Sequence, residues 1–118
     1  MPFYARVNDA ISRANYALNQ LYSYNDYSAP SAEPNRSIRN NARLTIDPLT
    51  SSIRQGVYEG RYEGVSGSDA RQALRAADLL SNATWSLSDR PDEGRPADVP
   101  QAQYQIRQAI DLLQRARW

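Results

Sequence analysis

Apolar residues recur three and four positions apart in four separate segments of this chain, which has 118 residues. That spacing places them along one side of an α-helix. The segments cover about residues 3–24, 36–57, 69–88 and 98–117. A lone helix cannot shield such a stripe from water, whereas four helices of this length can cover one another. We therefore predict an all-α single domain over residues 1–118, folded as an antiparallel four-helix bundle.

The four stripes are rich in alanine and poor in large side chains. Their positions are Val7, Ile11, Ala14, Leu18 and Leu21; Ile38, Ala42, Ile46, Leu49, Ile53 and Val57; Ala70, Ala73, Ala77, Leu80, Thr84 and Leu87; Ala102, Ile106, Ala109, Ile110, Leu113 and Ala116. These residues predict close packing around a thin core. Extra apolar burial stabilises a small domain, so self-association or docking in a larger assembly is expected.

Prolines and capping residues divide the helical pattern. The second stripe continues through Pro48, yet Asp47 followed by proline is also a good helix start. We expect either one kinked helix or two short helices that meet at Asp47. The second helix is expected to start near Asn35 or Ser37, either of which could be its N-cap, and the third to begin at Ser68 or Asp69. Asp98 is the expected cap of the fourth helix, with Gln101 as the other half of a capping box.

Residues 56–68 contain four of the chain's five glycines. Each glycine costs a helix about 1 kcal/mol relative to alanine, so a regular helix is doubtful beyond Val57. The sequence leaves open whether this segment is a helix, a loop or a segment ordered by a partner. Residues 89–97 read as a charged loop.

The chain has no histidine, cysteine or lysine, and all 14 basic residues are arginines. Disulfides, Cys or His metal ligands, Ser-His-Asp triads and catalytic lysines are therefore excluded. The carboxylates of Asp89, Asp92 and Glu93 cluster in the charged loop, where we interpret them as solvated. We predict that the protein is not an enzyme and has no catalytic residues, cofactor or metal site.

A net charge of +1 argues against strong nucleic-acid binding. Arg36, Arg39 and Arg43 nevertheless share one helix face in the pattern i, i+3, i+7. That row is either a surface for phosphate or for an acidic partner, or a solvated face. No apolar run reaches membrane-spanning length, and the first residues lack the layout of a signal peptide. We expect no membrane contact and a location in the cytoplasm or in a particle assembled there.

The aromatic residues are unusual, with eight tyrosines against one phenylalanine. Trp85 and Trp118 lie off the apolar stripes, at matching positions of a weak repeat between the third and fourth helices. Either they contact a partner, or they fold over the edge of the bundle or under residues 56–68. Tyrosine and tryptophan are frequent in interfaces. The candidate partner contacts are Trp85, Trp118, Tyr16, Tyr24, Tyr27, Tyr58 and Tyr62.

These observations favour a non-enzymatic structural or interaction protein. It would be a helical subunit or adaptor in a multi-protein assembly, with a virion or similar particle as one example, and would bind a protein partner or itself. One alternative is a nucleic-acid-associated helical protein that uses the arginine row and neighbouring tyrosines. Another is a helical bundle that binds a small ligand between its helices.

Overall fold

The computed structural model describes residues 1–116, so the predicted partner contact Trp118 lies outside the described residues. Four helices form, α1 (Phe3–Leu21), α2 (Asn35–Gly60), α3 (Gly67–Ser86) and α4 (Val99–Ala116), with a short 3-10 turn at Pro91–Glu93. Each helix packs on the next, and α1 closes the ring against α4. The predicted all-α four-helix bundle is confirmed.

Neighbouring helices run in opposite directions. Near the start of α1, Arg6 Nη1 donates to Oγ of Ser52 near the end of α2 at 3.2 Å. Near the end of α1, Gln20 lies beside Thr45 in the first half of α2, with 3.3 Å between their side-chain oxygens. Residues 61–66 connect α2 to α3, and residues 87–98, which include the 3-10 turn, connect α3 to α4.

Buried residues from all four helices form one apolar cluster. The largest fully buried apolar side chains are Phe3, Leu21, Ile46, Ile53, Leu80, Leu87, Ile106 and Leu113. In α3, the repeat positions Ala73, Ala76, Ala77, Leu80 and Ala83 are buried, as are their counterparts Ile106, Ala109, Ile110, Leu113 and Ala116 in α4. The weak repeat therefore coincides with equal burial in two adjacent helices.

The α2 helix passes through Pro48 without a break. The alternative of two short helices meeting at Asp47 is therefore wrong. Proline has no N–H and removes one helical hydrogen bond. Ile46 and Leu49, on either side, are 0% and 2% exposed, so packing against the core keeps this stretch helical. Pro48 itself is exposed, on the side of the helix turned away from the core.

The α2 helix also continues through Gly56 to Gly60, three residues beyond Val57, where a regular helix was expected to become doubtful. A Cβ atom on Gly56 would lie 2.7 Å from Cδ of Arg6 in α1. A Cβ atom on Gly60 would lie 2.9 Å from Cγ2 of Val65. The missing side chains allow close packing here, and this packing offsets the low helix propensity of glycine.

A left-handed glycine ends this stretch. Gly64 has φ +77°, and the N–H of Val65 donates to the carbonyl oxygen of Gly60 at 3.1 Å, as in a Schellman motif. The following residues lead directly into α3. Residues 56–68 are therefore helix, turn and helix start in succession.

The helix caps differ in part from the sequence prediction. The α3 helix begins at Gly67, just before the predicted start at Ser68 or Asp69, and its cap is Ser66, whose Oγ accepts the N–H of Asp69 at 3.1 Å. Asp98 caps α4 as predicted, since its Oδ1 accepts the N–H of Gln101 at 3.0 Å. The N–H of Asp98 donates to the carbonyl oxygen of Ser86 at 2.8 Å instead of to the Gln101 side chain. The predicted capping box is therefore only half formed.

Asn35, predicted as a cap, has a different role. No side chain caps α2, and Asn35 is 0% exposed. Its Oδ1 accepts the N–H of Asn25 at 2.9 Å, and its Nδ2 donates to the carbonyl oxygen of Asn25 at 2.8 Å. These hydrogen bonds therefore hold the 22–34 loop against the start of α2.

Arg39 joins this loop to the end of α3. Its side chain is buried, with Nη1 donating to the carbonyl oxygen of Leu87 at 2.8 Å. Its Nη2 and Nε donate to the carbonyl oxygen of Pro30 at 2.7 and 3.1 Å. Arg39 of the predicted row therefore differs from Arg36 and Arg43, because its guanidinium donors are used inside the fold.

Replacing Arg39 by methionine should lower the free energy of unfolding by about 2 kcal/mol, since the buried carbonyl oxygen of Leu87 and the partly buried one of Pro30 lose their donors. Methionine keeps the apolar stem and a similar helix propensity. The control Arg36→Met, on the exposed side of the same helix, should change it by less than about 0.5 kcal/mol. Chemical denaturation measures both values. Equal effects of the two substitutions would contradict this role of Arg39.

At the opposite end of the bundle, Tyr4 and Asp69 link two helices. The Tyr4 hydroxyl donates to Oδ2 of Asp69 at 2.6 Å and links the first turns of α1 and α3. This hydrogen bond, and to a lesser extent burial, raises the pKa of Tyr4 above its ordinary value of 10.0. The bond therefore contributes its full stability below about pH 10, and that stability is lost as pH rises through the folded-state pKa.

Replacing Tyr4 by phenylalanine should lower the free energy of unfolding at neutral pH by about 1 kcal/mol. The difference between wild type and variant should shrink as pH rises above about 10, because wild type loses the same bond by ionisation. Urea denaturation across this pH range measures the difference. A difference that stays constant up to about pH 11 would contradict the assignment.

Candidate functional site

Trp85 lies on the surface at the last turn of α3. Its side chain is 55% exposed, whereas Ala83 and Leu87 on either side are fully buried. The small side chains on the buried face of α3 bring the neighbouring helices close, and the indole lies outside that contact. This exposure leaves a large apolar area of the indole in water, which is unusual for tryptophan.

A short turn after α3 brings two arginines together beside Trp85. Pro91 begins the 3-10 turn, and Gly94 ends it in the left-handed conformation with φ +67°. Arg90 and Arg95 then pair through their main chains, with N–H to carbonyl oxygen distances of 2.7 and 2.9 Å. Proline at the start of such a turn and glycine at its end are the residues that this backbone favours.

Both arginines lie over the indole of Trp85. The guanidinium carbon of Arg95 is 3.8 Å from the ring centroid, and that of Arg90 is 5.7 Å away. Arg95 Nη1 also donates to the carbonyl oxygen of Trp85 at 3.0 Å. At exposed sites, cation–π contacts contribute about 0.5–1 kcal/mol each. The indole is therefore held in one orientation by two neighbouring cations.

A surface groove of about 460 Å³ runs from Trp85 to α2. Arg43 of α2 lines it together with Arg90, and Asp47 is the carboxylate among its lining residues. A second groove continues from the shared residues Arg43 and Arg90 towards the start of α2. We call the group formed by Trp85, Arg43, Arg90 and Arg95 the Trp85 surface.

The three arginines of the predicted row line one groove, but they make different contacts. Arg36 is exposed and pairs with Glu33, its Nε lying 2.8 Å from the carboxylate oxygen. The pKa of Glu33 is lowered, first by the hydrogen bond from Ser37 and then by Arg36. Arg39 is held inside the fold, and Arg43 belongs to the Trp85 surface. The regular spacing therefore hides three different environments.

The predicted tyrosine contacts are spread over the molecule rather than gathered at Trp85. Tyr27 is fully exposed in the 22–34 loop, and Tyr16 lies with Leu44 in a groove between α1 and α2. Tyr58 and Tyr62 are exposed at the opposite end of α2, where the guanidinium carbon of Arg61 lies 4.2 and 5.4 Å from their ring centroids.

Tyr24 differs from the other predicted contacts, since it is partly buried against the core. This burial is the largest cause of its raised pKa, and the positive charge of Arg39 opposes the shift. Tyr24 therefore belongs in part to the fold.

Sequence reasoning missed Arg90 and Arg95 as partners of Trp85. The signal was present in the stretch Arg90–Arg95, where a Pro-x-x-Gly turn separates the two arginines. Such a turn places its flanking residues side by side. Within residues 1–116, no group of three His, Cys, Asp or Glu residues is arranged to hold a metal ion.

Among the helices that the structure describes, none combines the length and the apolar character needed to cross a membrane. Comparison of the chain with models of known protein families, with curated proteins and with solved structures finds no match.

Proposed function

We propose that this chain is a non-enzymatic interaction protein, a helical subunit or adaptor of a multi-protein assembly, that binds another protein through the Trp85 surface. The observation that carries the proposal is Trp85 itself, 55% exposed and flanked by Arg90 and Arg95. Tryptophan and arginine are the residue types most enriched at the energetic centres of interfaces. A virion or similar particle is one kind of assembly that such a subunit would serve.

The contacts that orient Trp85 support this function. Arg95 is bonded to the main chain of Trp85 while its guanidinium lies over the ring. A partner that packs on the indole therefore pays little for ordering it, since ordering flexible side chains is part of the cost of binding. The main-chain pairing of Arg90 with Arg95 holds the loop in the same way.

Other exposed aromatics would give a subunit more than one contact surface. The groove with Tyr16 and Leu44 lies between α1 and α2, and Tyr58 and Tyr62 lie at the other end of α2 from the Trp85 surface. An adaptor needs at least two such surfaces. Partners at these places would be other protein chains or further copies of this one. We propose the cytoplasm, or a particle assembled there, as the location.

The two alternative functions have less support. The nucleic-acid alternative relied on Arg36, Arg39 and Arg43, and the donors of Arg39 are used by main-chain carbonyl oxygens. The ligand-binding alternative required a site between the helices, and the centre of the bundle is filled by apolar side chains such as Leu80 and Ile106.

Replacing Trp85 by alanine should abolish partner binding and lower the unfolding midpoint by only a few degrees, since about 1 kcal/mol of surface contacts is lost. Immobilised wild type and variant are compared for the proteins they retain from the native source. Light scattering over a range of concentrations measures self-association. Thermal unfolding by circular dichroism reports stability.

The matched control is Tyr104→Ala, because Tyr104 is 54% exposed and does not line the grooves around Trp85. It should bind the partner like wild type. Partner binding that survives in Trp85→Ala would overturn the proposed function. A fall in the midpoint by more than about 10 °C would instead show that Trp85 acts in the fold.

A further inference from the structure

The arginines of the Trp85 surface have no carboxylate partners among residues 1–116. Other arginines of the described chain form ion pairs, namely Arg6 with Glu59, Arg13 with Asp9, Arg36 with Glu33, Arg54 with Asp78 and Arg115 with Asp111. Arg43, Arg90 and Arg95 thus lie beside an exposed tryptophan without forming an ion pair, although Asp47, Asp89, Asp92 and Asp98 line the same grooves. An arginine fork matches a carboxylate in geometry and can bind it through two hydrogen bonds.

The side chain of Arg95 has hydrogen-bond donors that lack an acceptor. Its Nε and Nη2 are shielded from solvent and have no acceptor among the described residues. A shielded donor without an acceptor carries a desolvation cost. The side chain also lines a surface groove with Asp98 and Gln101, where the Asp98 carboxylate accepts the N–H of Gln101. A carboxylate that reaches these donors would supply the missing acceptor.

The positions of the arginines define what kind of segment would fit. Arg43 and Arg90 line one groove beside Trp85, and Arg95 lines another that also includes Trp85. Resting on the proposed function, we infer that the partner docks an acidic protein segment here. The segment carries an apolar side chain that packs on Trp85. Carboxylates on both sides of that side chain pair with Arg43, Arg90 and Arg95.

A nucleic acid fits this surface less well. Asp47, Asp89 and Asp92 line the same grooves and would repel a continuous phosphate backbone. A peptide can place its carboxylates at the arginines and direct main-chain N–H groups towards the aspartates.

The test uses a synthetic peptide of glutamates with one central leucine, a matched peptide with glutamines, and a single-stranded oligothymidylate. Each is titrated into the full chain at physiological salt while NMR follows the Trp85 indole N–H and the arginine Nε–H signals. We expect the glutamate peptide to shift the signals of Trp85, Arg43, Arg90 and Arg95. The glutamine peptide and the oligonucleotide should bind at least tenfold more weakly.

The charge-reversed variant Arg43→Glu with Arg90→Glu should weaken binding of the glutamate peptide at least tenfold. The control Arg75→Glu with Arg107→Glu, which changes two exposed arginines outside these grooves, should stay within twofold of wild type. If the double reversal at the groove disturbs folding, Arg90→Glu alone is used, because Arg90 is exposed in a loop. It should still weaken binding at least threefold.

Three results would overturn the inference. They are no shift with the glutamate peptide, equal binding of the glutamine peptide, or tighter binding of the oligonucleotide.

The proposed function is tested by a different outcome. If Trp85→Ala loses the native partner but Arg43→Gln with Arg90→Gln retains it, only the acidic segment is wrong. If Trp85→Ala retains the partner, the proposed function itself is wrong.

Discussion

Small residues on the buried helix faces set how closely the four helices approach, and the rest of the molecule follows from that approach. The core contribution of α3 is mostly alanine. At the glycines of α2, a single added Cβ atom would come within 3 Å of Arg6 or Val65. Dispersion contacts depend on such close packing. A core of this kind is well packed but thin, and it has little room for large aromatic side chains.

The exposure of several aromatic side chains is a consequence of this close packing. Trp85 follows Ala83 at the end of α3, where the fold has filled its buried face with smaller residues. The indole is instead stabilised at the surface by the pair Arg90 and Arg95, which a proline–glycine turn brings together. The same residues that keep Trp85 in place also surround it with positive charge, so the local stability of the loop and the proposed binding chemistry have one origin.

Polar residues at the ends of the bundle show where the sequence pattern was informative and where it was not. The stripe through Ala42 and Ile46 extends back to Arg39 and Asn35, so their burial was predictable from position. Their residue types argued the opposite, because arginine and asparagine are usually exposed. Burial becomes favourable only when the 22–34 loop supplies carbonyl oxygens, and the position of that loop is a property of the whole fold.

The sequence by itself determined the helices, their number and their buried faces, since the period of 3.6 residues is a local property of the chain. It also excluded chemistry that needs histidine, cysteine or lysine. Only the tertiary structure decided that α2 continues through Pro48 and the glycines, because packing against α1 outweighs their low helix propensity. It also decided that Arg43 joins Arg90 and Arg95 around Trp85. Those residues lie on different elements, and their separation in space depends on how helices and loops pack together.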